Sequence, residues 1–205
     1  MSKLLFIISG PSGAGKNTVM TYIRKEFPQI SKAVTYTTRA PRPHERDGVD
    51  YRFVSEADFF QKVREGKILE YEQVYNDYYY GSPADIFDYA DNIIMEMDWK
   101  GHRTYRAQYT DVAIVSIFLV PPSLSEIKNR ILKRSRVENL NSRLANALEQ
   151  LSHADEYSYI VINEHKRAML TTIEAIVRTE LLRSGRERNL EFIRSVIQQG
   201  KDANS

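Results

Sequence analysis

The stretch Ser9-Gly10-Pro11-Ser12-Gly13-Ala14-Gly15-Lys16-Asn17-Thr18 constrains this chain more than any other. It follows the apolar run Leu4-Leu5-Phe6-Ile7-Ile8, which reads as a buried strand of a parallel sheet. It precedes Val19, Met20, Ile23 and Phe27, whose spacing places them on one face of a helix. Strand, glycine-rich turn and helix form the setting in which G-x-x-x-x-G-K holds phosphate. Glycines let successive backbone N–H groups point into one concavity. The helix N-terminus adds roughly half a positive charge, and Lys16 adds a full one. A glycine-rich turn without a ligand is the plainer alternative, but the flanking strand and helix favour binding of a nucleoside triphosphate. Asn17 stands where the pattern has a hydroxyl for Mg²⁺.

The chain has 205 residues, enough for one domain with a sizeable core and small inserted lobes. Its 29 Lys and Arg against 27 Asp and Glu leave a formal charge of +2, which argues against bulk nucleic-acid or membrane binding. With no cysteine, disulfides, thiolate chemistry and cysteine-ligated metal are excluded. The opening apolar run is short for a signal peptide, and no span approaches the roughly 20 apolar residues of a membrane helix. A cytoplasmic protein is expected.

Further on, Ala33-Val34-Thr35-Tyr36-Thr37-Thr38 reads as a strand, followed by a polar loop stiffened by Pro41 and Pro43. Ser55 with Asp58 resembles a capping box, opening a helix that carries Phe59, Phe60 and Val63 and stops near Gly66. Two strands are expected over 68–80 around an Asn76-Asp77 turn. Ile93-Ile94-Met95-Glu96-Met97-Asp98 reads as a strand ending in acids, and 112–120 as the most hydrophobic strand. A basic helical segment over 124–133 follows. After it come a helix carrying Leu140, Leu144, Leu148 and Leu151, a strand over 159–162, and a helical C-terminal third with Met169, Ile173, Ile176 and Val177 on one face. Strands alternating with helices predict an α/β fold with a parallel sheet, its ligands gathered beyond the C-terminal strand ends. Lys16, Glu96 and Asp98 all fall at such ends.

Other residues suit phosphate. Arg39 and Arg42 sit on the proline-held loop, and an arginine fork matches phosphate oxygens. Tyr51 and Tyr80 offer hydroxyls. Arg130, Lys133, Arg134, Arg136 and Arg143 form a third basic group. Each group alone reads equally well as solvated charge. Together they suit phosphoryl transfer between two bound phosphates, where catalysis is mostly positioning and charge stabilisation.

The chain resembles guanylate kinase over about 3–182. The resemblance rests on the glycine-rich loop, on Thr37-Thr38-Arg39-Ala40-Pro41-Arg42-Pro43, on Asp47-Gly48-Val49-Asp50-Tyr51 and on Tyr79-Tyr80-Gly81-Ser82. It extends to Glu96-Met97-Asp98-Trp99-Lys100-Gly101, Pro121-Pro122-Ser123 and Ile160-Val161-Ile162-Asn163-Glu164. It implies a P-loop kinase core (about 1–32, 93–124 and 147–205), an inserted nucleoside-monophosphate lobe (about 33–92) and a lid (about 125–146). The implied activity is transfer of the γ-phosphate of ATP to GMP, with Mg²⁺ as cofactor. The residues from Gly10 to Thr18 would cradle the ATP phosphates, Lys16 bridging β and γ, and Asn163 would meet the adenine. Arg39, Arg42, Tyr51 and Tyr80 match positions that hold the GMP phosphate. Thr35, Glu70 and Ser82 match those that read guanine, and Glu96 and Asp98 lie near acceptor and metal. Asn17, Thr18 and Asp98 are the implied Mg²⁺ contacts, and Arg130, Arg134 and Arg143 the implied lid arginines.

The guanine assignment has a physical basis. Guanine's N1–H and exocyclic amine are adjacent donors that one carboxylate accepts together, whereas adenine turns an acceptor toward it. A site built on hydrogen bonds rejects an analogue lacking them by up to about 10⁴–10⁵.

Several positions depart from the family pattern. Asn17 replaces serine, and Thr35 keeps only the hydroxyl. The link from Glu70 to Tyr80 is one residue longer, and 82–93 is shorter by about one helical turn. Arg134-Ser135-Arg136 stands for the usual arginine-glycine, with a couple of residues missing before Arg143. Two other classes stay open: a kinase of another acceptor such as AMP or a ribose bisphosphate, and a non-catalytic phosphopeptide-binding module. The intact Lys16 speaks against the second. The segment after Arg183 either caps the core or forms a homodimer contact.

Overall fold

The computed structural model describes residues 3–74, 78–132 and 140–202. Its centre is β1 (Leu4–Ser9), with every residue buried. Parallel neighbours β7 (Asn92–Glu96) and β8 (Ala113–Val120) flank it, and β2 (Ser31–Lys32) and β9 (Tyr159–Ile162) complete the order β2-β7-β1-β8-β9.

A parallel sheet is covered on both faces, so its central strand has no polar side. Leu4, Phe6 and Ile8 pack on Val19, Met20 and Ile23 of α1 (Lys16–Glu26) and on Met169, Ile173 and Val177 of α6 (Lys166–Ser184). Leu5 and Ile7 face Ile86, Ile93, Met95 and Tyr105. Each fully buried aliphatic side chain contributes about 1.5–3 kcal/mol, so this uninterrupted run fixes the strand's place.

A second sheet, ordered β4-β3-β6-β5, is smaller. It comprises β3 (Tyr36–Thr37), β4 (Arg52–Phe53), β5 (Ile68–Val74) and β6 (Tyr78–Pro83). Its core is Tyr36, Phe59 and Ile68 under α2 (Glu56–Arg64). Ser55 caps α2 as its sequence predicts, accepting from the Asp58 N–H at 3.1 Å.

Three expectations change. The run over 33–38 is not one strand. Ala33 N–H still bonds Ile94 O of the large sheet, while Thr35 O already accepts from Arg52 N of the small one. β-propensity marks an extended chain without naming its partner. Leu148, expected on the apolar face of α5 (Leu140–Ser152), is exposed; Ala147 takes the buried position against Ile127 and Ile131 of α4 (Leu124–Leu132). A helix that the sequence did not announce, α3 (Trp99–Gln108), follows Asp98, whose Oδ1 caps it by accepting from Gly101 N–H at 2.9 Å.

The Asn76-Asp77 turn lies outside the described residues. The C-terminal third is two helices, α6 and α7 (Arg186–Asp202). Among the described residues no helix is long and apolar enough to cross a membrane.

Candidate active site

β1 delivers the glycine-rich loop to the C-terminal edge of the large sheet. Gly10 has φ +134°, and a Cβ there would lie 2.2 Å from Leu119 O, so only glycine fits. Gly15 has φ +105°, and its Cβ would come within 2.6 Å of the Asn163 side-chain nitrogen. Three side chains brace the loop from outside. Asn163 Nδ2 donates to Ala14 O (2.7 Å), Arg130 Nη1 donates to Gly13 O (3.0 Å), and the Tyr157 hydroxyl donates to Ser9 Oγ (2.9 Å). Arg130 is itself held by Glu126 at 2.6 Å. Lys16 Nζ turns back onto the loop, donating to Gly10 O (2.6 Å) and Pro11 O (3.3 Å), 3.6 Å from Glu96 Oε1.

Lys16 and Asn17 open into a cleft of about 830 Å³ whose far wall includes Arg42, Tyr51, Tyr80 and Glu70. Thr35, Ser82, Glu96 and Asp98 line it as well. The structure thus gathers in one space most residues that the resemblance assigns to two ligands. Arg39 is not among the lining residues. Its Nη2 donates to both Glu45 carboxylate oxygens at 2.9 Å, its Nη1 to Ala40 O at 2.7 Å and its Nε to the Tyr80 hydroxyl at 3.0 Å.

Glu45 was missed by the sequence reading. It also accepts the Arg42 backbone N–H at 2.8 Å, and that bond, with the Arg39 and Arg42 charges, holds its carboxyl below the usual range. A lone acid in a polar loop carries no spacing signal; its position three residues after Arg42 was the only hint.

Glu70 on β5 stands directly opposite Ser82 on β6, whose hydroxyl donates to it. Burial pushes this carboxyl up to about 7; the Ser82 bond opposes the rise, and the charges of Asp98 and Glu72 add to it. A Cβ on Gly101 would sit 3.1 Å from Glu70 Cδ, so α3 presents a glycine where the carboxylate needs room.

The remaining assignments scatter. Asn17 is exposed and Thr18 half-buried. Asn163 is buried with its amide spent on bracing the loop. Arg143 lies half-buried in the first turn of α5 and is not among the residues lining the cleft, and Arg134 lies outside the described residues. Among the described residues no group of three carboxylates or histidines is placed to hold a metal. Of the oxygens implied for Mg²⁺, those of Asp98 and Asn17 line the cleft and Thr18 does not; so small a donor set fits an ion carried mainly by a substrate's phosphates. His102 is fully buried on α3, stacked on Tyr157 with ring centres 4.4 Å apart. Burial pushes it down to about 4.

A parallel sheet feeding a phosphate loop, faced across one cleft by a cationic and carboxylate wall, defines a P-loop kinase of small phosphorylated acceptors. The chain belongs to the guanylate kinase family, whose model matches residues 2–180, and with it to the nucleoside monophosphate kinases. It is 37% identical over 200 residues to guanylate kinase of Methylobacillus flagellatus, covering 95% of this chain and 97% of that one. It is 37% identical to the Alcanivorax borkumensis enzyme over 189 residues, 89% of this chain and 90% of the other. The crystal structure of guanylate kinase from Anaplasma phagocytophilum superposes with a TM-score of 0.67 at 28% identity, over 87% of this chain and 86% of that one.

Proposed function

We propose that this enzyme transfers the γ-phosphate of ATP to GMP, giving ADP and GDP. The observation that carries the reading is the single cleft joining Lys16 to the Glu70–Ser82 pair, Arg42 and Tyr51. An oxygen of the GMP phosphate attacks the γ-phosphorus, and the bond to the β–γ bridging oxygen breaks, leaving ADP. Backbone N–H groups of the glycine-rich loop hold the donor phosphates. Lys16 exchanges its bonds to Gly10 and Pro11 carbonyls for β- and γ-phosphate oxygens.

Glu70, as carboxylate, accepts from guanine N1–H and the exocyclic amine, while Thr35 and Ser82 hydroxyls face O6. Arg42, Tyr51 and Tyr80 hold the acceptor's phosphate, joined by Arg39 when phosphate competes with Glu45 for its fork. Mg²⁺ bound through phosphate oxygens and Asp98, with Asn17 and Thr18 nearby, would offset charge on the transferring group. The small sheet and its loops (33–92) act as the acceptor lobe. Residues 125–146 act as a lid that brings Arg130, Arg134 and Arg143 together and excludes water. The substrates are free nucleotides of the cytoplasm, and we assign the enzyme there.

A coupled ADP-release assay with GMP, AMP and no acceptor tests this. Turnover with GMP and a kcat/KM at least about 10³-fold lower for AMP is expected. Turnover with AMP but not GMP would sink the guanine assignment, and turnover with neither would leave a binding module.

A further inference from the structure

Lys32, the last residue of β2, has no role in the assignments above. We infer that it is a further cation of the acceptor-phosphate site, and that it supplies from the large sheet a charge the small sheet lacks. The inference rests on the function proposed above.

Four observations support it. Lys32 lines the same cleft as Arg42, Tyr51 and Lys16. Its ammonium lies 5.5 Å from the centre of the Tyr51 ring, which the Arg39 guanidinium also approaches at 5.6 Å. Its one hydrogen bond among the described residues goes to the Asp50 backbone carbonyl at 3.1 Å. None of the ion pairs within 4.0 Å among the described residues includes it. An ammonium drawn out of water without a carboxylate carries an uncompensated cost that an anion relieves. Burial, and then the positive field of Arg24, lower its pKa below that of a free lysine; the charges of Asp50, Glu96 and Glu45 only partly offset this.

The charge balance favours the same ligand. A phosphomonoester carries about −1.5 to −2 at neutral pH. In the empty site Arg39 is paired with Glu45, while Arg42, Lys32 and Arg24 line the cleft without an ion pair within 4.0 Å among the described residues. Lys32 adds a second unpaired cation beside Arg42 to the wall that would meet a dianion. Lys32 is also fixed differently. It pairs with Ile94 in the large sheet, two residues before Glu96, whereas Arg42 and Tyr51 belong to loops of the small sheet. A phosphate bound by both is held by the two sheets at once, so acceptor binding would tie the small sheet to the core.

The test is steady-state kinetics of wild type, Lys32→Met and Lys32→Arg, with thermal melts as a control for folding. Methionine keeps an apolar stem over Tyr51 and removes the charge. The inference predicts that Lys32→Met raises KM for GMP about tenfold or more, the worth of one charged hydrogen bond. KM for ATP and kcat should stay within about twofold of wild type, and Lys32→Arg should recover most of the loss. If Lys32→Met does not fold, Lys32→Gln provides the same comparison. An unchanged KM for GMP in a folded, active variant overturns this inference alone. So does a rise that Lys32→Arg leaves uncorrected, because that assigns the residue to packing. Wild type inactive toward GMP removes the proposed function and this inference with it.

Discussion

The wall built on the glycine-rich loop and the wall built on the small sheet hold charge by different means. On the first, the donors proposed for the phosphates are backbone N–H groups of a loop fixed by braces from three other segments: Asn163 to Ala14, Arg130 to Gly13 and Tyr157 to Ser9. On the second, side chains do the work, and they are satisfied by one another: Arg39 by Glu45 and Tyr80, and Glu70 by Ser82. A backbone cradle is set before the ligand arrives, so its energy goes into charge stabilisation. A side-chain wall must exchange internal bonds for ligand bonds, so it gains less affinity but discriminates, because a wrong ligand leaves those groups unpaired.

The comparison predicts effects of different size and kind. The largest belongs to the cradle. Lys16→Ala should lower kcat by about 10³-fold at saturating substrates, since it removes charge where the transition state develops it. The fold should persist, because the lysine's own hydrogen bonds go only to carbonyls of the loop that precedes it. A loss under about tenfold would mean that the loop is not the catalytic wall.

The smaller effect belongs to the discriminating wall. Glu70→Gln should lower kcat/KM for GMP by about 10²-fold while leaving KM for ATP near wild type. Its pH dependence has a fixed sign. Free Glu70 titrates at about 7, well above an ordinary carboxyl, so the empty fold favours the protonated form. Its contribution to stability is therefore full below the ordinary carboxyl range and lost as pH rises through about 7. The proposed contact needs the carboxylate, so KM for GMP should fall between pH 6 and 8 more steeply in wild type than in Glu70→Gln, where only the phosphate's own ionisation remains. Identical slopes in wild type and Glu70→Gln would remove the acid from guanine recognition.

The same contrast explains what could be read from sequence. β1, the loop and α1 are contiguous, and spacing alone announced them. The capping of α2 by Ser55 was equally local. The far wall converges from Thr35, Arg42, Tyr51, Glu70 and Ser82, whose spacing carries no periodic signal. There the resemblance supplied the residues, and the cleft then brought these five together. Glu45 and Lys32 stayed hidden for the same reason: each is one charge whose meaning depends on neighbours distant in the chain. α3 was invisible because its buried face is Gly101, His102 and Tyr105, which no hydropathy pattern marks as apolar. The split at 33–38 was invisible because two partners, not two propensities, divide it.

The central claim is that one cleft holds the two phosphate-bearing ligands nose to tail, the small sheet checking the acceptor's identity. A crystal structure with GMP and a non-hydrolysable ATP analogue tests it most directly. The account predicts the analogue's phosphates within the loop of Gly10 to Thr18, the GMP phosphate beside Arg42 and Tyr51, and guanine against Glu70 and Ser82. GMP bound with its base away from Glu70, or its phosphate away from Arg42 and Tyr51, would contradict it.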